Sequence, residues 1–302
     1  MAALLDRRSL FQWFPVHLEM IETDDDLPPP YVWFEHQIAG HHPSVVKNGL
    51  RQIGIIKKPN TNVLLKVVQD GVRGQCEERL YTDIVEAYEN GRKELTALYN
   101  LYLLVPRFYG THKIEIGKRK KEYKFLELED VIFSYHRPCV MDVKIGRVTY
   151  DPTASEEKQL AELAKSPFQQ ICGFRILGYR ISTLDNPRIK GKEWGRDQTA
   201  ETVDDAFAEF LEGRPGCFHE LTKEFLRRIR IVENYFNDQQ SLQFYASSLL
   251  FVYEADPTRD LNVDLRMIDF SHVFRDQSVR DENYIAGVRY ISDIFNRLID
   301  RQ

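Results

Sequence analysis

The run PCVMDVKIG, Pro138 to Gly146, sets an acid and a base two residues apart among apolar neighbours. Strand alternation puts Asp142, Lys144 and Gly146 on one face and Met141, Val143 and Ile145 on the other. A buried strand with a polar, reactive face fits this pattern, and so does an edge strand carrying a solvated Asp–Lys pair. A second apolar run, NVLLKVVQ, has its only charge at Lys66, a cation that must meet an anion or snorkel out to water. The Gly-flanked turn after it carries Arg73 and leads into a helix with Glu77 in its first turns. A strand lysine followed by a helix glutamate is the arrangement kinases use to position ATP phosphates. A third strand, YKFLELEDVIF, ends shortly before Pro138.

Helical spacing is predicted from Arg92 to Leu104, where Pro106 follows as a stop. Beyond Gly146, Pro152 and a capping box from Thr153 to Glu156 open another helix. Its apolar side is Leu160, Leu163 and Ala164, while Lys158 and Lys165, seven apart, share a different face. Those lysines suit bound phosphates, or they are surface charge paired with Glu162. GFRILGYRIST reads as a strand and DNPRIKGKEWGRDQT as turn and loop. Helices follow from Val203 to Leu211 and from Leu221 to Phe236. The second has Leu221, Phe225, Ile229, Val232 and Phe236 at core spacing and Arg227, Arg228 and Arg230 on its wet side. Two strands, FYASSLLFVYE and LRMIDFSHVF, are joined by a polar turn. Asp269 lies between Ile268 and Phe270 in the second, where an acid is costly to bury without a cation or donors; a magnesium ligand explains it naturally. A helix from Tyr284 to Leu298 closes the chain, and there is no internal repeat.

Composition narrows the class. The chain has 302 residues, 43% hydrophobic and 29% charged, enough for one large domain or two lobes of a soluble protein. No apolar run approaches the roughly 18 to 20 residues of a spanning helix. Asp6, Arg7 and Arg8 interrupt any signal core, so an intracellular location is the default expectation. ETDDDLPPP reads as the end of an arm or linker. Cys76, Cys139, Cys172 and Cys217 have no zinc spacing and are expected to be reduced. His36, His41 and His42 lack an acid or cysteine to complete a metal site, and a turn between strands is the better reading. The net charge of -5 disfavours broad attraction to nucleic acid or anionic membrane. A local basic cluster still suffices for an anionic ligand, since charges beyond about 8–10 Å are screened. The basic run Lys118 to Lys124 is read as a solvated hairpin tip rather than a nucleic-acid or nuclear-targeting patch.

Several blocks in order, HQIAGH, the strand lysine Lys66, VPRFYG, PCVMDVKIG, ASSLLFVYE and MIDFSHVF, resemble the inositol polyphosphate kinase family, most closely its multikinase branch. The resemblance implies an α+β, two-lobed, protein-kinase-like (ATP-grasp-related) fold. The expected division is an arm over 1–30, an N-lobe over 31–130 and a C-lobe over 131–302, with a small helical inositol-binding segment near 152–172. It implies ATP and magnesium (Mg2+) as cofactors and transfer of the γ-phosphate to hydroxyls of inositol polyphosphates. Lys66 would contact the nucleotide phosphates and Glu77 would hold it. The Glu129 carbonyl and Val131 amide would meet adenine, and Asp142 the ribose. Lys144 would stand at the transferred phosphate, Asp269 would bind the metal, and Ser248 would lie close by. Arg73, Lys158, Lys165 and His272 would receive the inositol phosphates. The chain departs from the resemblance at Ala161 and Glu162, where the multikinases carry glutamines. Unless it turns toward Lys158 or Lys165, Glu162 would repel a phosphate 4 Å away by about 4 kcal/mol at an effective dielectric of 20. A trisphosphate 3-kinase, a hexakisphosphate kinase and a kinase-fold scaffold are the alternatives. A monomer in cytoplasm or nucleus, without nucleic-acid binding or membrane anchor, is expected.

Overall fold

The computed structural model describes residues 27–38, 46–47, 50–51, 53–118, 120–184, 186–275 and 277–301. The acidic run before residue 27, His41, His42 and Arg119 lie outside the described residues. The first part of the chain forms β1 (Val32–Trp33), β2 (Val46–Lys47), β3 (Leu50–Arg51), β4 (Ile56–Lys57), β5 (Val63–Val67), α1 (Val72–Glu89), α2 (Thr96–Leu101), β6 (Phe108–Ile116) and β7 (Lys121–Glu129). The second part begins with β8 (Pro138–Ile145), α3 (Glu156–Leu163), α4 (Pro167–Cys172), β9 (Phe174–Ile181), β10 (Arg188–Lys190) and α5 (Lys192–Arg196). It ends with α6 (Val203–Leu211), α7 (Phe218–Asp238), β11 (Leu242–Phe244), β12 (Ser248–Glu254), β13 (Asp264–Ile268), β14 (Val273–Arg275) and α8 (Glu282–Asp300).

Two five-stranded sheets, β1-β4-β5-β7-β6 and β10-β9-β8-β12-β13, carry this architecture, and the chain passes from one to the other after β7. Every strand pairing in them is antiparallel. In the first sheet Leu65 of β5 packs with Ile56, Ile114 and Phe125, so period two turns Lys66 to the opposite face. In the second, Met141, Val143 and Ile145 enter the main core with Phe207, Phe225 and Phe295. Strand β8 is the middle strand of its sheet, which excludes the edge-strand reading of the Asp142–Lys144 pair. Its closing Gly146 has φ 113°, and a Cβ there would stand 2.7 Å from Asn283 Nδ2. Both the conformation and the close approach call for glycine.

The helices obey the apolar period. Leu221, Phe225, Ile229, Val232 and Phe236 of α7 and Ile285, Val288, Ile291, Phe295 and Leu298 of α8 are all buried. Each such side chain contributes about 1.5–3 kcal/mol of transfer free energy. Arg228 of α7 is not simply wet, because its Nη1 donates to Asp264 Oδ1 of β13 at 2.9 Å. At the start of α8, Asp281 accepts from the Phe244 amide at 2.6 Å and the Tyr284 amide at 2.9 Å. Asp281→Ala is expected to cost about 1–3 kcal/mol in urea unfolding, since it orphans two buried donors. Burial pushes the Asp281 pKa up to about 6, against donation from the Phe244, Tyr284 and Asn283 amides. An unfolded aspartate titrates near 3.9, so the folded chain binds the extra proton between about 4 and 6. Stability from this group therefore declines as pH rises through that window, and the variant should lack the slope.

Several local expectations are corrected by long-range contacts. The Arg92–Leu104 helix shrinks to α2, because Arg92 closes the end of α1 on Ala87 O and Leu95 turns back on Arg92 O. The helix after Gly146 is capped by Ser155, whose hydroxyl accepts from the Lys158 amide, while Thr153 is taken by Asp151. The stretch read as loop contains β10 and α5. Trp194 packs edge-on against Tyr179 at 5.1 Å, and Gly195 sits so close to Ile176 O that a Cβ would be 1.9 Å from it. YKFLELEDVIF ends as a strand at Glu129, where Asp130 Oδ1 accepts from the Ile132 amide in a local turn. FYASSLLFVYE and LRMIDFSHVF each break in two, at Ala246 and Asp269, and both breaks lie at the site.

Candidate active site

The two sheets enclose a cavity of about 350 Å³. Ile38, Val131, Val140 and Leu250 line its apolar end, where Glu129 also contributes to the wall. Asp130 clamps this junction by pairing with Lys57 and donating its amide to Asn62 O at 2.7 Å. Glu129 and Val131 are thus held at the crossing between the sheets, beside the apolar end of the cavity.

Four elements converge at the polar end. Lys66 Nζ of β5 lies 2.6 Å from Glu77 Oε1 of α1 and 2.6 Å from Asp269 Oδ1, just past β13. Burial opposes the charge on Lys66, but Asp269 and then Glu77 outweigh it and hold the ammonium above the ordinary lysine range. The cation has met its anions, and the snorkelling alternative is excluded. Glu77 is 1% exposed and also accepts from the Phe270 amide at 3.1 Å. Glu77→Ala leaves both donors a partner short and is expected to cost about 2–4 kcal/mol in chemical denaturation.

Asp269 and Ala246, at φ 66° and 58°, are non-glycine residues in the left-handed region. This conformation costs about 1–2 kcal/mol each. It turns the Ala246 carbonyl to Lys144 Nζ at 3.0 Å. Burial lowers the Lys144 pKa, with Asp269 and Asp142 opposing. Asp142, 5% exposed, is pushed up to about 7 by burial and then by Asp269. Ser248 and then Lys144 counter that rise, and Asp142 Oδ1 and Ser248 Oγ are buried polar atoms with no partner that meets hydrogen-bond geometry among the described residues. Ser248 stands opposite Lys144 in the β8–β12 register and opposite Ile268 in β12–β13.

On the far side, Arg73 and His272 line the cavity. His272 Nδ1 is 2.7 Å from Asp151 Oδ2, and Lys158 Nζ is 3.7 Å from the same oxygen. Burial lowers the His272 pKa, and Asp151 counters it. Lys165 pairs with Glu162, so the acid does turn toward a lysine. The structure therefore joins Lys66, Glu77 and Asp269 directly and sets Asp142, Lys144 and Ser248 beside them, but Lys158 and Lys165 do not share a helix face, because α3 ends at Leu163 and Lys165 lies beyond it, and neither lysine lines the cavity. Sequence reasoning misses Asp151, whose Asp-Pro context reads as a helix start. Sequence reasoning also passes over Arg175, which is buried opposite Lys144 in the β8–β9 register, although a cation inside an apolar run is the same signal that picks out Lys66.

A metal bound to nucleotide phosphates fits these residues. Among the described residues no three His, Cys, Asp or Glu side chains cluster as a self-sufficient metal site. Magnesium characteristically needs only one or two carboxylates beside substrate phosphates. Asp269, close to the orphaned Asp142 and Ser248 oxygens, supplies that donor set.

The model of the inositol polyphosphate kinase family matches residues 125–296. The chain belongs to this family. Mouse inositol polyphosphate multikinase is 33% identical over 239 residues, covering 77% of this chain and 57% of that protein. The chain thus spans little more than half the length of this relative. A rice inositol polyphosphate multikinase (Oryza sativa subsp. indica) is 26% identical over 309 residues, covering 91% of this chain and 97% of that one. Among solved structures, the inositol phosphate multikinase Ipk2 of S. cerevisiae, in complex with ADP and Mn2+, superposes with a TM-score of 0.65 at 24% identity. That match covers 79% of this chain and 100% of the yeast chain, and it shows the same α+β kinase-like fold.

Proposed function

We propose that this chain is an ATP- and magnesium-dependent kinase that phosphorylates hydroxyl groups of soluble inositol polyphosphates. The observation that carries the reading is the convergence of Lys66, Glu77, Asp269 and Lys144 at the polar end of a cavity whose other end is apolar. An adenine would enter the apolar end against Glu129 and Val131, with Asp142 on the ribose. Lys66, fixed by Glu77, would hold the nucleotide phosphates. Asp269 would bind magnesium beside Ser248, and the metal would supply neutralisation of the phosphate charge. Arg73, Lys158, Lys165 and His272 would receive the acceptor's phosphates, with Asp151 fixing the orientation of His272 and Lys158.

Phosphoryl transfer asks the protein mainly for positioning and charge stabilisation, and these residue types provide both. Lys144 stands between the nucleotide residues and the acceptor side, where it would stabilise the group in transit. The relatives named multikinase favour acceptors from tris- to pentakisphosphates over a narrower trisphosphate 3-kinase or a hexakisphosphate kinase. A monomer in cytoplasm or nucleus belongs to the same reading. The test is a screen with magnesium-ATP against tris-, tetrakis- and pentakisphosphates, with products resolved by chromatography. New, more highly phosphorylated products are expected; no ATP consumption with any acceptor would instead support a scaffold.

A further inference from the structure

Two charged runs take no part in the site, the acidic run Glu22 to Asp26 and the basic run Lys118 to Lys124. The fold brings them to one place. The basic run forms the tip of the β6–β7 hairpin, where Lys113, Lys118, Lys120 and Lys121 are all exposed, while Lys124 turns away to Glu78 of α1. Lys113 pairs with Glu122 at 2.7 Å, and Lys121 lies 4.8 Å above the Tyr123 ring. Beside this tip is an open depression of about 490 Å³ whose wall includes Lys113, Lys120, Glu115, His112 and Pro28. Glu115 is the one acid among the described residues that line it, so the depression favours an anion.

Pro28 is the link between the two runs. Leu27 and Tyr31 pack on the cluster of Ile114, Ile116 and Phe125, and Tyr31 Oη lies 3.1 Å from His112 Nε2 of β6. The chain is thereby pinned against the hairpin at Leu27, the first described residue. At the full extension of a polypeptide, Asp26, Asp25 and Asp24 lie no farther than about 4, 7 and 11 Å from Leu27. Covalent geometry therefore keeps three carboxylates within reach of the lysine-lined depression. A tether this short gives an effective concentration of about millimolar or above.

We propose that the acidic run docks in this depression, with Asp24, Asp25 and Asp26 against Lys120 and its neighbouring lysines, and so closes the basic tip to outside polyanions. The occupant is a segment of this same chain, selected by charge and by its tether. No residue lining the depression lines the cavity between the sheets, so the docking stands apart from the kinase reading.

The test is amine acetylation of the full chain, with the rate at each lysine read by mass spectrometry and the exposed Lys58 and Lys93 as internal references. The combined variant Asp24→Asn, Asp25→Asn, Asp26→Asn removes the carboxylates without touching the hairpin. At low salt it is expected to raise the rates at Lys118, Lys120 and Lys121 about threefold, the protection that several exposed pairs on a short tether provide. The rates at Lys58 and Lys93 should not move. In about 1 M salt, where screening acts within about 3 Å, the wild-type chain should show the same rise and the variant none. Tip rates that are equal in wild type and variant, or a rise shared by Lys58 and Lys93, overturn the docking. A wild-type chain that sediments with vesicles of phosphatidylcholine and phosphatidylserine, its tip lysines slowed only in their presence, assigns the tip to an anionic lipid surface and equally overturns it. The readout needs no turnover, so a chain inactive on every inositol phosphate would sink the kinase reading and leave this result standing.

Discussion

Lys144→Ala is expected to reduce phosphoryl transfer by about 10³-fold or more, the scale set by removing a pre-organised charge from a transition state. Lys144 is half-buried, its amine donates to the Ala246 carbonyl at 3.0 Å, and burial already disfavours its charge. Deleting it removes an ammonium that the fold gains little by burying. The melting temperature should stay within about 4 °C of wild type near neutral pH. Asp142 loses a neighbouring cation in this variant, so its pKa should climb above the present value of about 7. Steady-state turnover with magnesium-ATP is the measurement. Wild-type turnover in the variant would remove Lys144 from the transferred phosphate.

Asp269→Asn should be comparably severe for activity, about 10³-fold, and should show a second signature that a folding defect would not. Asparagine tolerates the left-handed backbone that Asp269 adopts at φ 66°, so the chain path is preserved. What disappears is one of the two carboxylates on Lys66 and the negative charge that helps raise Asp142. Asp142 should then lose its proton below pH 7, which carboxyl carbon chemical shifts followed against pH would report. The sign follows from like charges: two nearby carboxylates resist joint ionisation, and neutralising one releases the other. An unchanged Asp142 titration would mean that the two carboxyls are not coupled across the cavity.

Both residues are legible in the sequence because each breaks a local rule. Lys66 and Asp269 are single charges inside apolar runs, and Asp142 with Lys144 forms a charged face on an otherwise apolar strand. Glu77 is legible as the helix acid after a strand cation. The long helices are legible as well, since the period of their apolar residues alone selects the buried face, and α6, α7 and α8 follow it. Short elements are not. The segment containing β10 and α5 is glycine- and charge-rich, and it becomes ordered through pairing with β9 and the contact of Trp194 with Tyr179.

What the sequence determined by itself is therefore the strand and helix periods, the cations and acids that violate them, and through PCVMDVKIG and its companion blocks the family. The tertiary structure decided who meets whom. Lys66 and Asp269 are 203 residues apart yet 2.6 Å from each other, and Asp151 joins His272 to Lys158. The division has a physical cause. Burial periodicity is a property of neighbours along the chain, whereas an ion pair depends on which sheets and helices close on one another and how far they exclude water.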